Sequence, residues 1–314
     1  MEKELNNLVY KYCSYDTFLK IIKSKTIYLN DITKLNDKRE LLLYKNLLEN
    51  ALKIFINKYS KDTEIKDFYN GCVKSIEFWF NEDNEMYKYF VSCFSKAKDS
   101  NLMWHRYGSN DRGMCIGIDE SIFKLFNDGE INYIQMQYRD DEEINILENI
   151  KLRNEDIYRF LLEKLVTLYE KYKKNNKLNQ NDSFSNNIIN NFIKFCFTYS
   201  AFYKTKWWED EKEYRIGVWG EYVKSKEANY RLFEYDGAYT EKGNCKIEDE
   251  KDITKNNTFH KIFDFSKNTT IIKEIWIGPL CEVSIQNVYE LLHFLNYENV
   301  FVNKSKGEVK NFLR

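Results

Sequence analysis

Proline is almost missing from this chain, with one residue in 314, and there are only 11 glycines. Hard chain breaks are therefore few, and loops must be made from Asn, Asp, Ser and Lys. Histidine is scarce too. The three copies, His105, His260 and His293, stand far apart, and the seven cysteines (13, 72, 93, 115, 196, 245 and 281) include no CxxC pair. That pattern argues against a zinc centre or any other bound metal. An odd, scattered set of thiols suits a reducing compartment. Excess charge of one sign is also lacking: 48 Lys+Arg against 49 Asp+Glu gives a net charge of −1. With no general basic field, a non-specific nucleic-acid binder is disfavoured and only a local basic groove stays open. No apolar run approaches the roughly 20 residues of a membrane span. The opening MEKELNNLVYKY has no signal-peptide core. The expectation is a soluble, cytoplasmic protein with no membrane contact.

What is present is material for a core: 43% hydrophobic and 17% aromatic residues. Wholesale disorder is excluded on that ground. The length is that of one large domain carrying an insertion. Leu8 to Cys13 reads as a strand, followed by a helix over Tyr15 to Lys23 capped by Ser14 or Asp16, and a second strand over Thr26 to Leu29. Asn36-Asp37 is a plausible helix start, and such ends bind anions, although an ordinary cap is the simpler reading. Leu41 to Trp79 is mostly helical, in two pieces. Phe90 to Ser95 is strand-like. A short helix is expected from Ser100 to Tyr107 and a strand from Gly113 to Asp119, whose two glycines allow close backbone approach. Trp104 and His105 read most simply as packed residues.

Tyr133 to Tyr138 is read as one strand. Residues 140–200 form a helical insertion in a β-rich core, broken by an Asn-rich loop between Lys173 and Asn187. Residues 220–258 read as irregular, with a strand over Tyr230 to Tyr235 and an exposed loop from Gly237 to Thr258. Strands over Phe259 to Phe265 and Thr270 to Ile277, a helix over Ser284 to Leu295 and a strand over Val300 to Asn303 close the chain.

The densest chemistry lies in Phe202 to Val218, FYKTKWWEDEKEYRIGV. On a strand, Glu211, Glu213 and Arg215 alternate onto one face. Like charges that close disfavour joint ionisation, and Arg215 offsets them. Carboxylate pairs do acid–base or cation-stabilising work in many enzymes. The simpler reading is a solvated strand face with cross-strand ion pairs, because charged side chains are mostly exposed.

Four pieces together resemble the DUF2971 family, a bacterial domain of unknown function. They are Tyr10-Lys11-Tyr12 with Asn36-Asp37 and Glu40; Ser92 to Ser95, Met103-Trp104-x-x-Tyr107 and Gly113 to Gly117; Lys204 to Arg215; and Glu274 to Pro279. The layout is more distantly similar to ADP-ribosyltransferases, including the branch that modifies DNA or RNA. That resemblance implies an α+β fold with a split, mixed or antiparallel sheet flanked by helices, as a single domain over 1–314. It sets Tyr10-Lys11-Tyr12 at the first motif, where Lys11 departs from the usual Arg or His. It sets Ser92 to Ser95 at the middle motif and Glu211-Lys212-Glu213 at the last.

The activity so implied is NAD-consuming transfer of ADP-ribose to a nucleic-acid or protein acceptor, as a toxin or antiviral-defence effector that answers to a regulatory partner. NAD is then a consumed substrate, and no cofactor is permanently bound. Glu213 stabilises the oxocarbenium-like cation and Glu211 orients or deprotonates the acceptor. Lys11 or Arg39 meets the pyrophosphate, and Tyr12, Tyr28 or Trp104 stacks on a ring. Tyr10, Ser92, Ser95 and Arg215 complete the substrate-binding set. Two other readings stand beside it. One is a nucleotide-binding sensor without turnover. The other is a nuclease-type protein using Trp207, Trp208, Lys204 and Lys206 on nucleic acid.

Overall fold

The structure is a computed structural model that describes residues 7–35, 39–81, 87–127, 131–139, 155–177, 182–221, 240–249 and 261–307. Its strands are β1 (Leu8–Cys13), β2 (Thr26–Asp31), β3 (Tyr87–Ser95), β4 (Met114–Asp119), β5 (Ile131–Gln135), β6 (Gln137–Arg139), β7 (Tyr203–Thr205), β8 (Glu213–Glu221), β9 (Thr240–Lys242), β10 (Cys245–Asp249), β11 (Lys261–Asp264), β12 (Ile272–Ile277) and β13 (Phe301–Lys304). Its helices are α1 (Tyr15–Ser24), α2 (Arg39–Lys58), α3 (Ile65–Trp79), α4 (Asn101–Tyr107), α5 (Ser121–Leu125), α6 (Glu155–Lys177), α7 (Asp182–Ser200) and α8 (Ile285–Phe294). The chain divides into two units, one from residues 1–32, 88–136 and 208–314 and the other from 33–87 and 137–207.

The first unit holds a mixed, largely antiparallel sheet with the order β13-β12-β4-β1-β3-β2-β11-β10-β9, with β8 added on β3 and β5 on β8. Among the described residues, only β12 and β13 of this sheet run parallel. Alternation along β1 decides its two faces. Val9 and Cys13 enter the main apolar core with Ile116, Ile275 and Phe94. Leu8, Tyr10 and Tyr12 enter a smaller cluster with Met103, Trp104 and Cys115 on the opposite face. The helices around this sheet are set by local signals: the Ser14 side chain accepts from Thr17 N at the start of α1, and Ser284 does the same for Asn287 N at α8.

Strand β3 has three partners, β1, β2 and β8. A strand has two edges, so two of the three share one. Contacts to β8 run the length of β3, from the bond of Lys96 N to the Lys212 carbonyl to the Tyr89–Trp219 ring contact. The shared edge therefore belongs to β1, which meets it at Tyr10–Ser95, and β2, which meets it at Asn30–Val91 and Asp31–Phe90. Ser92 and Cys93 lie at the fork between them.

The second unit is helical, with α2, α3, α6 and α7 packed on one another and a small parallel pair, β6 with β7. The helices expected as an insertion at 140–200 thus pack with the earlier pair α2 and α3. Three expectations change. Of the Asn-rich loop expected between Lys173 and Asn187, residues up to Lys177 lie in α6 and those from Asp182 in α7. The strand read over Tyr133 to Tyr138 is two, broken at Met136: β5 pairs with β8 and β6 with β7. Within the loop expected from Gly237 to Thr258, residues 240–249 form a hairpin through Gly243 and Asn244, both in the left-handed region that such a turn requires. The strand expected over Tyr230 to Tyr235 lies outside the described residues, as do Asn36 and Asp37. No helix among the described residues is long and apolar enough to cross a membrane, and they include no cluster able to hold a metal ion.

Candidate functional site

Glu213 and Arg215 share a face of β8, as their spacing predicts. Their pairing is bidentate, with Arg215 Nε donating to Glu213 Oε1 at 2.7 Å and Nη2 to Oε2 at 3.4 Å. The solvated-face reading fails here: Glu213 is 5% exposed and Arg215 1%. Removing both charges from water is costly, and the fork geometry of the guanidinium offsets part of that cost.

Glu211 does not share that face. It ends a short 3-10 turn, Lys206–Glu211, and Lys212 then takes a left-handed conformation (φ 45°) before β8 begins. Such a backbone costs on the order of 1–3 kcal/mol at a residue with a side chain. The alternation is broken there, and the two carboxylates acquire separate partners. Glu211 is 2% exposed. Its Oε1 accepts from Tyr107 Oη at 2.7 Å and from Arg106 Nη1 at 3.2 Å. Arg106 also stacks on Trp208, 4.4 Å from the ring centre. The Ser95 hydroxyl donates to the Glu211 main-chain carbonyl, which ties the turn to β3.

Lys11 lies on the core face of β1 and reaches the fork. Its Nζ donates to Ser92 Oγ at 2.9 Å and to the Cys93 carbonyl at 3.3 Å, and it lies 5.1 Å from the Phe94 ring centre. Burial lowers its ammonium below the ordinary lysine value, against the raising influence of Cys93, Cys13 and the Glu213 carboxylate. Residues from three strands, β1, β3 and β8, thus feel one another at one place. Cys93, half-buried, donates its thiol to Glu213, and burial together with that carboxylate pushes the thiol up to about 12. Its thiolate fraction at pH 8 is then about 10⁻⁴, far below that of an ordinary thiol. Alkylation of Cys93 by iodoacetamide is expected to be negligible in the folded protein at pH 8 and rapid after unfolding in urea. Mass spectrometry of the labelled peptide reports this, and fast labelling of the native chain contradicts it.

Tyr10, Tyr12 and Trp104 belong to the opposite face and to packing. Tyr10 Oη donates to Glu274 at 2.8 Å, across Gly117 of β4. Glu274 is also paired with Lys98 at 3.0 Å. Tyr12 donates to the Ala97 carbonyl at 2.7 Å and packs edge-on against the fully buried Trp104, whose Nε1 donates to Asp99. Neither of those two rings is a stacking platform in this arrangement. Tyr28, on β2, is 43% exposed. Arg39 opens α2 in the helical unit, and its side chain lies outside the described residues. Lys204 is buried, which removes it from phosphate contact, while Trp207 is 82% exposed. His105 is exposed, 3.9 Å from Asp111.

Sequence reasoning gave Arg106 no role, and it noticed Tyr107 only as part of a motif. Their partner stands 105 and 104 positions away, so no local pattern marks the contact. The available signal was the adjacency of a cation and a phenol at the end of a short helix.

The fold defines an α+β protein with a mixed, largely antiparallel sheet and buried charges on and beside its strand β8. Residues 103–216 match the model of the family described as "Protein of unknown function (DUF2971)". The match takes in Tyr107, Glu211, Glu213 and Arg215. No curated protein and no solved structure matches the chain.

Proposed function

We propose that the chain cleaves the nicotinamide–ribose bond of NAD and transfers ADP-ribose to an acceptor, with the site at the sheet fork. One observation carries the reading: Lys11 and Ser92, at the first and middle motif positions of the resemblance, are hydrogen-bonded at the fork, and Glu213, at the last, raises the Lys11 ammonium from the neighbouring strand β8. Bond cleavage develops positive charge on the ribose, and a preorganised carboxylate in a water-poor site stabilises it strongly. The pyridinium takes the bonding electron pair and leaves as neutral nicotinamide. Lys11 meets a phosphate, Tyr28 offers the half-exposed ring, and Glu211 faces the acceptor.

The test is nicotinamide release from NAD by the purified chain. Glu213→Gln is expected to lower it by about 100-fold or more. Because that change also disturbs Arg215, Ser92→Ala serves as a second, milder variant, and circular dichroism checks the fold of both. Wild-type rates in Glu213→Gln contradict the assignment. A second reading is supported by the bidentate hold of Arg215 on Glu213, which leaves that carboxylate structurally occupied: a nucleotide-binding module without turnover. It expects a raised melting temperature with NAD and no nicotinamide.

A further inference from the structure

We infer that Tyr107 and Arg106, at the end of α4, are positioning residues that aim Glu211 for the transfer step; this rests on the transferase reading above. In that step the acceptor X–H bonds to the ribose carbon from which nicotinamide has departed, and its proton passes to the Glu211 carboxylate. The direction of that carboxylate therefore matters to transfer more than to dinucleotide cleavage. Among the described residues, these contacts bear on it. Tyr107 and Arg106 both end on Oε1, which restricts rotation of the carboxylate. Ser95 holds the same residue by its main-chain carbonyl.

The two donors differ in freedom. Tyr107 follows the fully buried Trp104 by three positions on one short helix, so its phenol is carried by a packed element. Arg106 is 33% exposed along its side chain and is steadied by the Trp208 ring. Tyr107 is itself 36% exposed, and Glu211 is closed to solvent, so an acceptor reaches Glu211 by displacing one of these two donors. A purely structural role for the trio predicts that removing Tyr107 affects cleavage and transfer alike. A positioning role predicts a change in their ratio.

The experiment uses the full chain, labelled NAD and three offered acceptors: a single-stranded DNA oligonucleotide, an RNA oligonucleotide and casein. The quantity read is ADP-ribose attached per nicotinamide released. Tyr107→Phe is expected to lower that ratio by about tenfold, the scale of a positioned acid–base contribution partly lost. Arg106→Ala lowers it as well, and Arg106→Lys restores part of it. An unchanged ratio, or release and attachment falling together, overturns the inference while leaving NAD cleavage intact. Attachment by the wild type to none of the three also overturns it. A wild type that releases no nicotinamide removes both the inference and the reading beneath it. Should Tyr107→Phe fail to fold, the two Arg106 variants decide the same ratio.

Discussion

Replacing Arg215 by methionine is expected to destabilise the protein by about 3–5 kcal/mol, the usual cost of removing one member of a buried ion pair. Methionine matches the length of the arginine stem and fills much of its volume, so the change isolates the charge. Glu213 then keeps a carboxylate, 5% exposed, without the guanidinium that grips both of its oxygens. The check is the urea midpoint at neutral pH, with the slope m compared to confirm that the same surface unfolds. Combining Arg215→Met with Glu213→Gln is expected to recover a large part of the loss, because two neutral groups then replace a buried carboxylate that has lost its guanidinium. A loss below about 1 kcal/mol, the range of solvated pairs, is the result that contradicts a buried pair. The same double variant removes the carboxylate proposed for NAD cleavage, so it should fold and be inactive. Stability and chemistry are thereby separated on one residue.

Gly113→Ala is expected to cost about 3 kcal/mol, the upper part of the range for overpacking. A Cβ at this position falls onto the carbonyl oxygen of Cys13 and within 2.8 Å of the Gly108 carbonyl oxygen. Both obstacles are backbone, so no side chain can swing aside. Gly117→Ala meets a softer obstacle. Its Cβ lies 2.6 Å from Glu274 Cγ and 3.2 Å from a Tyr10 ring carbon, so the hydrogen bond from Tyr10 across β4 to Glu274 must shift. The expected order is therefore Gly113→Ala more damaging than Gly117→Ala, read as midpoints in the same urea titration. The reverse order contradicts the packing described for β1, β4 and β12.

These glycines were legible in the chain itself: two of them in a six-to-seven-residue strand signal a place where another backbone comes close. So were β1, α1 with its Ser14 cap, β12 and α8 with its Ser284 cap. Each depends on alternation or helical spacing over a few neighbours, or on a hydroxyl three residues from the amide that it caps. The pairing of Glu213 with Arg215 was legible for the same reason, since residues two apart on a strand share a face.

Glu211 was not legible. Its departure from the strand hangs on Lys212 adopting φ 45°, and nothing about a lysine announces a left-handed backbone, as a glycine in its place does. The depth of burial of Glu213 and Arg215 was equally hidden, because composition places charges outside and only the assembled sheet encloses them. The division of the Tyr133 to Tyr138 stretch at Met136 followed from two different strands claiming its two halves, β8 and β7.

By itself, then, the sequence determined the kinds of element, their order, the Ser14 cap of α1 and the residue types available for chemistry. These follow from local sterics and from the 2.0 and 3.6 periodicities, which act within a few residues. The tertiary structure alone decided that Lys11 bonds to Ser92 at the fork of β3, that Tyr107 and Arg106 hold Glu211, and that Tyr12 packs against Trp104 as core. Those outcomes depend on strand order and register. They arise from burying the largest apolar area at once, and no stretch of chain carries that information alone.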